Sequence, residues 1–179
     1  MTDNIIDNSW IIQLIGFVAV GFSFAIFQFN KRTTMLRISM CGQILYAIHF
    51  MLLGAMTGSV MNLIGAVRSY LFAKFDGSKK PIVLFWSFIA TYVVATILTW
   101  HGLISLLPMI GMITGTIAFW QSNPRYIRLI GLISPPLWFT YNYISGSYAG
   151  MFAEIILLSS NLIGIYRFDI KFKFSKIRL

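Results

Sequence analysis

Every lysine and arginine of this 179-residue chain falls in alternate gaps between seven apolar segments. The acidic start (Asp3, Asp7) has none. The first gap holds Lys31, Arg32 and Arg37, and the second, from Gly54 to Ser59, is uncharged. Arg68, Lys74, Lys79 and Lys80 accompany the end of the third segment. Trp100, His101 and Gly102 make a fourth gap without Lys or Arg. Arg125 and Arg128 attend the fifth, Ser145 to Ser147 is uncharged, and Arg167, Lys171, Lys173, Lys176 and Arg178 close the chain. Short basic loops stay in the cytoplasm, so this alternation predicts an outside N-terminus and an inside C-terminus.

Composition agrees. The chain is 58% hydrophobic and 11% charged, with a mean hydropathy of +0.77, too apolar for a water-soluble domain of this length. The net charge of +9 is spread over loops and forms no stripe on one face. It suits anionic lipid at the inner leaflet better than nucleic acid. The polar, acidic first residues lack the basic start of a cleavable signal, so the first apolar run should be an uncleaved span. The single cysteine, Cys41, permits no disulfide framework.

The expected fold is an all-α polytopic membrane protein, one membrane domain over residues 1–179. Its spans lie near 10–29, 35–53, 57–75, 82–100, 103–121, 127–145 and 148–167, each about long enough to cross the hydrocarbon. Trp10, Trp86, Trp100, Trp120, Tyr126 and Tyr148 fall near the ends, as interfacial aromatics do. Arg68, inside span three, is expected to snorkel toward the inner headgroups.

Spans one to three resemble spans five to seven. Residues 27–32 (Phe-Gln-Phe-Asn-Lys-Arg) echo 120–125 (Trp-Gln-Ser-Asn-Pro-Arg). Gly54 and Gly58 echo Gly146 and Gly150. Asn62-Leu63-Ile64-Gly65 with Arg68 echoes Asn161-Leu162-Ile163-Gly164 with Arg167. Three matches in the same order mark an internal repeat. A three-span unit ends opposite where it began, so one extra span restores the orientation of a second unit. The division is therefore a first three-helix repeat at 10–75, a linker helix at 82–100, a second repeat at 103–167 and a basic cytoplasmic tail at 168–179. This three-plus-one-plus-three plan is SWEET-like. The register is ambiguous, because Asn62 matches Glu154 when anchored on the glycines and Asn161 when anchored on the Asn-Leu-Ile-Gly motif.

Glu154 is the one acidic residue within a predicted span, roughly 10 Å below the outer surface at 1.5 Å per residue from Ser147. A carboxylate there must face protein or water. It is read as a substrate-binding or proton-coupling group, against the alternative of a structural carboxylate that ties helices together. Gly150, Glu154 and Asn161 share one helix face, as do Gly58, Asn62, Gly65 and Ser69, which suits a pore lining or close packing. In span six, Trp138, Tyr141 and Asn142 combine a stacking surface with amide donors, as a small polar ligand requires. His49 is a candidate proton relay or a satisfied structural histidine. Pro135 and Pro136 remove two backbone donors and should kink or break span six, making it a candidate hinge; Pro108 should bend span five mildly. With only His49 and His101 as histidines and no surrounding carboxylates or thiols, neither a metal site nor a cofactor is expected, and no catalytic constellation is present.

The residues Trp138, Tyr141, Asn142, Gly146, Ser147, Gly150, Glu154, Asn161 and Arg167, together with His49, Phe50, Gly54 and Arg68, resemble the YgjV-like bacterial inner-membrane proteins. The resemblance covers most of the chain and implies a bacterial inner membrane location. More distantly, the plan resembles the SWEET and PQ-loop transporters, in which an asparagine before a glycine on the third and seventh spans contacts sugar; Asn62 and Asn161 stand in such contexts. Phe27 and Trp120 replace the proline of the Pro-Gln dipeptide, and spans one and two contain no proline, so substrate identity is not inherited.

The resulting expectation is a transporter or facilitator of a small polar solute, working by alternating access between two three-helix bundles. Asn62, Asn161, Glu154, Trp138, Tyr141 and Asn142 would bind the solute, and Glu154 and His49 would couple protons. The alternative is a non-transporting membrane receptor, scaffold or assembly factor. Partners expected are the lipid bilayer, the solute and a second copy of the chain in a homo-oligomer, with no nucleic acid.

Overall fold

A computed structural model describes residues 9–75 and 80–171. Asp3, Asp7, Lys79 and the tail residues Lys173, Lys176 and Arg178 lie outside the described residues. Within them the chain is helical throughout: α1 (Ser9–Ile26), α2 (Arg32–Leu52), α3 (Met56–Lys74), α4 (Ile82–Leu98), α5 (Leu106–Trp120), α6 (Pro124–Ile130), α7 (Ser134–Ile144) and α8 (Tyr148–Gly164). A 3-10 turn, Leu103–Ser105, precedes α5, and a π-helical stretch, Ile165–Lys171, continues α8. The sixth predicted span is therefore two helices. Residues 168–171, assigned to the tail from sequence, instead continue this helix.

All five prolines sit at helix starts. Pro81 caps α4, Pro108 lies in the first turn of α5, Pro124 opens α6, and Pro135 and Pro136 lie in the first turn of α7. The amides of a first turn have no intrahelical acceptor, so proline costs nothing there. Pro108 thus begins α5 and does not bend it, whereas Pro135 and Pro136 follow a true break at residues 131–133.

The uncharged loops turn on glycine. Gly54, Gly102 and Gly146 have φ of 73°, 88° and 67°. That left-handed region costs an L side chain roughly 1–2 kcal/mol. After α2, Gly54 N–H donates to Met51 O and Ala55 N–H to Phe50 O. After α7, Gly146 N–H donates to Tyr143 O and Ser147 N–H to Asn142 O. Both are the paired bonds that close a helix end on a left-handed glycine. The same device therefore recurs at matching places in the two sequence repeats.

Neighbouring contacts run α1–α2–α3–α5–α6/α7–α8, and α8 returns to α1. These helices form a ring in chain order, with α4 outside it on α3 and α5. The exterior is apolar, and the interior combines a hydrophobic cluster (Met35, Leu36, Phe50, Met61, Phe72 and Ile127 among it) with buried polar groups. Leu98 is 79% exposed and Val83 72%, while Arg128 is 1% exposed and Asn161 0%. In water that arrangement would expose far more apolar patch than a soluble monomer tolerates; in lipid it is required. Arg32–Leu52, Leu103–Trp120 and Tyr148–Lys171 are long and apolar enough to cross a membrane, and Trp10–Ile26 and Ile82–Leu98 are shorter apolar helices.

Three arginines organise the basic end and the interior. Arg32 donates to Phe119 O (2.8 and 3.1 Å) and Phe72 O (3.0 Å), so it satisfies carbonyls at the C-terminal ends of α5 and α3, where the helix dipole favours a cation. Arg128 forms a two-pronged pair with Asp169 (2.6 and 2.9 Å) and reaches Asn30 Oδ1 at 3.3 Å. Arg68 does not snorkel. It is 2% exposed, donates to Met112 O (3.3 Å) and Thr116 Oγ1 (3.0 Å), and lies 5.2 Å over the Phe119 ring. The α5 acceptors hold it inward, against the pull of the headgroups.

Candidate functional site: a cavity at the bundle centre

A cavity of about 130 Å³ lies inside the ring. It is lined from α1 (Ser23, Ile26), α2 (Ser39, Gln43, Tyr46, Phe50), α3 (Asn62, Arg68), α5 (Gly111, Met112, Gly115), α6/α7 (Ile127, Ser134, Trp138, Asn142) and α8 (Glu154, Leu157). Helix α4 contributes nothing to its lining.

The walls carry polar atoms with no protein partner. Gln43 Oε1, Arg68 Nε, Asn142 Oδ1 and Glu154 Oε2 are buried without a hydrogen bond, and all four residues line this cavity. Buried polar groups are ordinarily paired, so four orphans on residues around one cavity set this region apart from a fully satisfied core; two of them, Gln43 Oε1 and Asn142 Oδ1, lie against Gly65 and Gly150. Among the described residues no carboxylate pairs with Arg68 and no cation with Glu154. Glycines bring the walls together. Gly65 faces Gln43, Gly111 faces the Trp138 indole, and Gly150 faces Asn142; a Cβ at any of them would collide with that side chain.

Sequence-predicted site residues fall into two groups. Asn62, Glu154, Trp138 and Asn142 share the cavity. Asn62 and Glu154 each lie eight residues beyond the left-handed glycine of their repeat (Gly54, Gly146), so the turn geometry pairs them in the glycine-anchored register. Asn62 Nδ2 donates to Gly58 O at 2.9 Å, within its own helix.

Asn161 lies elsewhere, two turns nearer the basic end than Glu154. Its Nδ2 donates to Arg128 O at 2.8 Å. That carbonyl would accept from residue 132 in an unbroken helix, but Leu132 N–H bonds Leu129 O. Asn161 therefore caps the break in the sixth segment. His49 is also away from the cavity lining. Its Nδ1 is 2.8 Å from Ile12 O and its Nε2 2.8 Å from Ser147 Oγ. A carbonyl only accepts, so Nδ1 carries the proton and Nε2 accepts from Ser147. Ser147 Oγ in turn accepts from Gly150 N–H, capping α8. His49 thus ties α1, α2 and the start of α8 together.

Tyr141 lines a second hollow, of about 250 Å³, at the uncharged end with Gly54, Thr57, Thr99, His101 and Ser145. Its hydroxyl accepts from Gly58 N–H at 2.8 Å, satisfying a first-turn amide of α3. Its ring touches Phe50 (5.8 Å between centroids) and Trp138 (5.7 Å), which touch each other at 5.9 Å. A single aromatic cluster thus stands between the hollow and the cavity.

Sequence reasoning passed over Gln43 and misdirected Arg68. The signal for Gln43 was available: Ser39, Gln43, Tyr46 and Phe50 recur at helical spacing along span two.

An apolar exterior around a charged and amide-lined centre defines a polytopic membrane protein with an internal polar site. Residues 10–171 match the bacterial inner membrane protein family Imp-YgjV, and the chain belongs to that family. It is 25% identical over 165 residues to the inner membrane protein YgjV of Escherichia coli (strain K12), covering 89% of this chain and 85% of that relative. No solved structure matches the chain.

Proposed function

We propose that this inner-membrane protein moves a small polar solute across the bilayer by alternating access. The carrying observation is the central cavity, lined by all six ring segments and by none of α4, four of whose lining residues (Gln43, Arg68, Asn142, Glu154) each hold a buried polar atom without a protein partner. Each such orphan costs about 1–3 kcal/mol, and four of the six among the described residues belong to residues around this one cavity.

In this reading α1–α3 and α5–α8 are two like-oriented bundles in a seven-span, SWEET-like plan, with α4 the connecting span. They meet along α1/α8 and α3/α5. The Phe50–Trp138–Tyr141 cluster closes the uncharged, outer side. Arg32 on the ends of α3 and α5, and Arg128 with Asp169 and Asn30, close the basic, inner side. The break ahead of Pro135 and Pro136 lies between these closures, where a hinge lets α6 and α7 tilt independently. Asn62, Asn142 and Glu154 contact the solute, Trp138 gives it a face, and Asn161 steadies the hinge.

The test is flux of small solutes into liposomes that hold the purified protein. Glu154→Gln, which retains shape but loses the charge, should lower flux at least tenfold. Absence of flux for every solute in a broad metabolite panel refutes the transport reading. Unchanged flux in the variant removes Glu154 from the mechanism.

A further inference from the structure

Residues around the cavity hold unequal numbers of unused donors and acceptors. Gln43 Oε1, Asn142 Oδ1 and Glu154 Oε2 lack a donor, whereas Arg68 Nε lacks an acceptor. A guest that bridges Glu154 and Arg68 brings N–H or O–H groups to the first and an acceptor to the second. An ammonium carries three donors and no acceptor. A carboxylate suits the planar guanidinium of Arg68.

Charge leads to the same guest. Arg68 is a buried guanidinium whose hydrogen bonds go to neutral groups: Met112 O, Thr116 Oγ1 and Ser69 Oγ. Glu154 has no cation beside it among the described residues. An isolated buried carboxylate takes up a proton unless a cation stands beside it, so a solute that brings an ammonium to Glu154 and a carboxylate to Arg68 compensates both at once. Glu154 lies eight residues beyond its turn glycine and Arg68 fourteen beyond the equivalent one. At 1.5 Å per residue Arg68 is about 9 Å nearer the basic end. The two residues thus line the cavity at different depths, as a dipolar guest that reaches both requires.

Size limits the guest. The volume of about 130 Å³ is close to that of an engineered cavity known to take benzene, of about 150 Å³. A molecule of about six non-hydrogen atoms fits, and a sugar ring with its full set of hydroxyls does not.

We infer that the cavity takes a small zwitterion of simple amino-acid size, its ammonium toward Glu154 and Asn142 and its carboxylate toward Arg68. This rests on reading the cavity as a solute site. It also assigns Arg68 and Gln43 to that site.

The test uses the full chain in nanodiscs and equilibrium binding of four radiolabelled probes of similar size: alanine, lactate, 1-aminopropan-2-ol and glycerol. They are respectively zwitterion, anion, cation and neutral. Alanine should bind at least tenfold more tightly than each of the others. Glu154→Gln should weaken alanine at least tenfold while moving lactate less than threefold. Glu154→Asp, which keeps the charge, should preserve the preference. Equal or tighter binding of lactate, the amine or glycerol overturns the inference, as does failure of all four to bind. The wild-type ranking alone decides should the variants not fold. Flux of glycerol in liposomes without alanine preference would remove the zwitterion and leave transport standing. Tight alanine binding without flux of any solute would do the reverse.

Discussion

Replacing Tyr141 by Phe removes one oxygen from the aromatic cluster and leaves the ring. The lost atom is the acceptor for Gly58 N–H at 2.8 Å. Gly58 is buried in the first turn of α3, where no intrahelical carbonyl can replace it. Water is kept from the amide by the Tyr141 and Phe50 rings packed against Gly58. An orphaned buried donor costs about 1–3 kcal/mol. That penalty falls on the state in which the cluster is closed, because opening hydrates the amide. The open-to-closed ratio on the uncharged side should therefore rise roughly 5- to 150-fold. Two measurements check this. Hydrogen exchange at Gly58 should accelerate by that factor. A cysteine introduced at Asn62, in the cavity wall, should react faster with an impermeant thiol reagent added from outside, in a background lacking Cys41. Tyr143→Phe is the control, since Tyr143 is 71% exposed. If Tyr141→Phe and Tyr143→Phe leave Gly58 exchange and thiol labelling equally unchanged, the hydroxyl does not hold the cluster shut and the reasoning fails.

Other expectations follow from the same geometry. Gly54→Ala and Gly146→Ala meet open space, so each should destabilise by the left-handed backbone cost alone, roughly 1–2 kcal/mol, seen as earlier thermal unfolding in detergent; a neutral result would place the strain elsewhere. Asp169→Asn strips the counter-charge from buried Arg128 and should cost about 3–5 kcal/mol, whereas Arg128→Met with Asp169→Leu should cost less than the single change, and equal losses would deny the pairing. Asn161→Ala should loosen the break by freeing Arg128 O, raising hydrogen exchange in residues 131–133 about tenfold while alanine or glycerol binding is unaltered; altered binding with unaltered exchange would return Asn161 to the solute site.

Much of this architecture was legible in the chain. Seven apolar segments, their ends, the turn glycines and the basic side all come from local properties: hydropathy, loop charge and backbone freedom. The doubled proline correctly marked the broken segment, since a missing amide is a fact about one residue. The site was legible only in part. Spacing placed Asn62 and Glu154 on polar helix faces, and both reach the cavity. The same reasoning read Asn161 as a solute contact and His49 as a proton relay, yet the Asn161 amide N–H and both His49 ring nitrogens bond to backbone or hydroxyl groups supplied by distant segments.

The sequence alone therefore determined that the chain belongs in a membrane, which end of the bundle is basic, and roughly where most of the helices lie. Only the tertiary structure decided which polar side chains face one another. In water a helix advertises its buried face by contrast with a polar one, but in lipid the outward face is apolar too, so the many buried apolar side chains no longer stand out. Arg68 shows the consequence. Its stem could have reached the headgroups, and only the acceptors of α5, brought alongside α3 by the closing of the ring, turn its charge toward the centre.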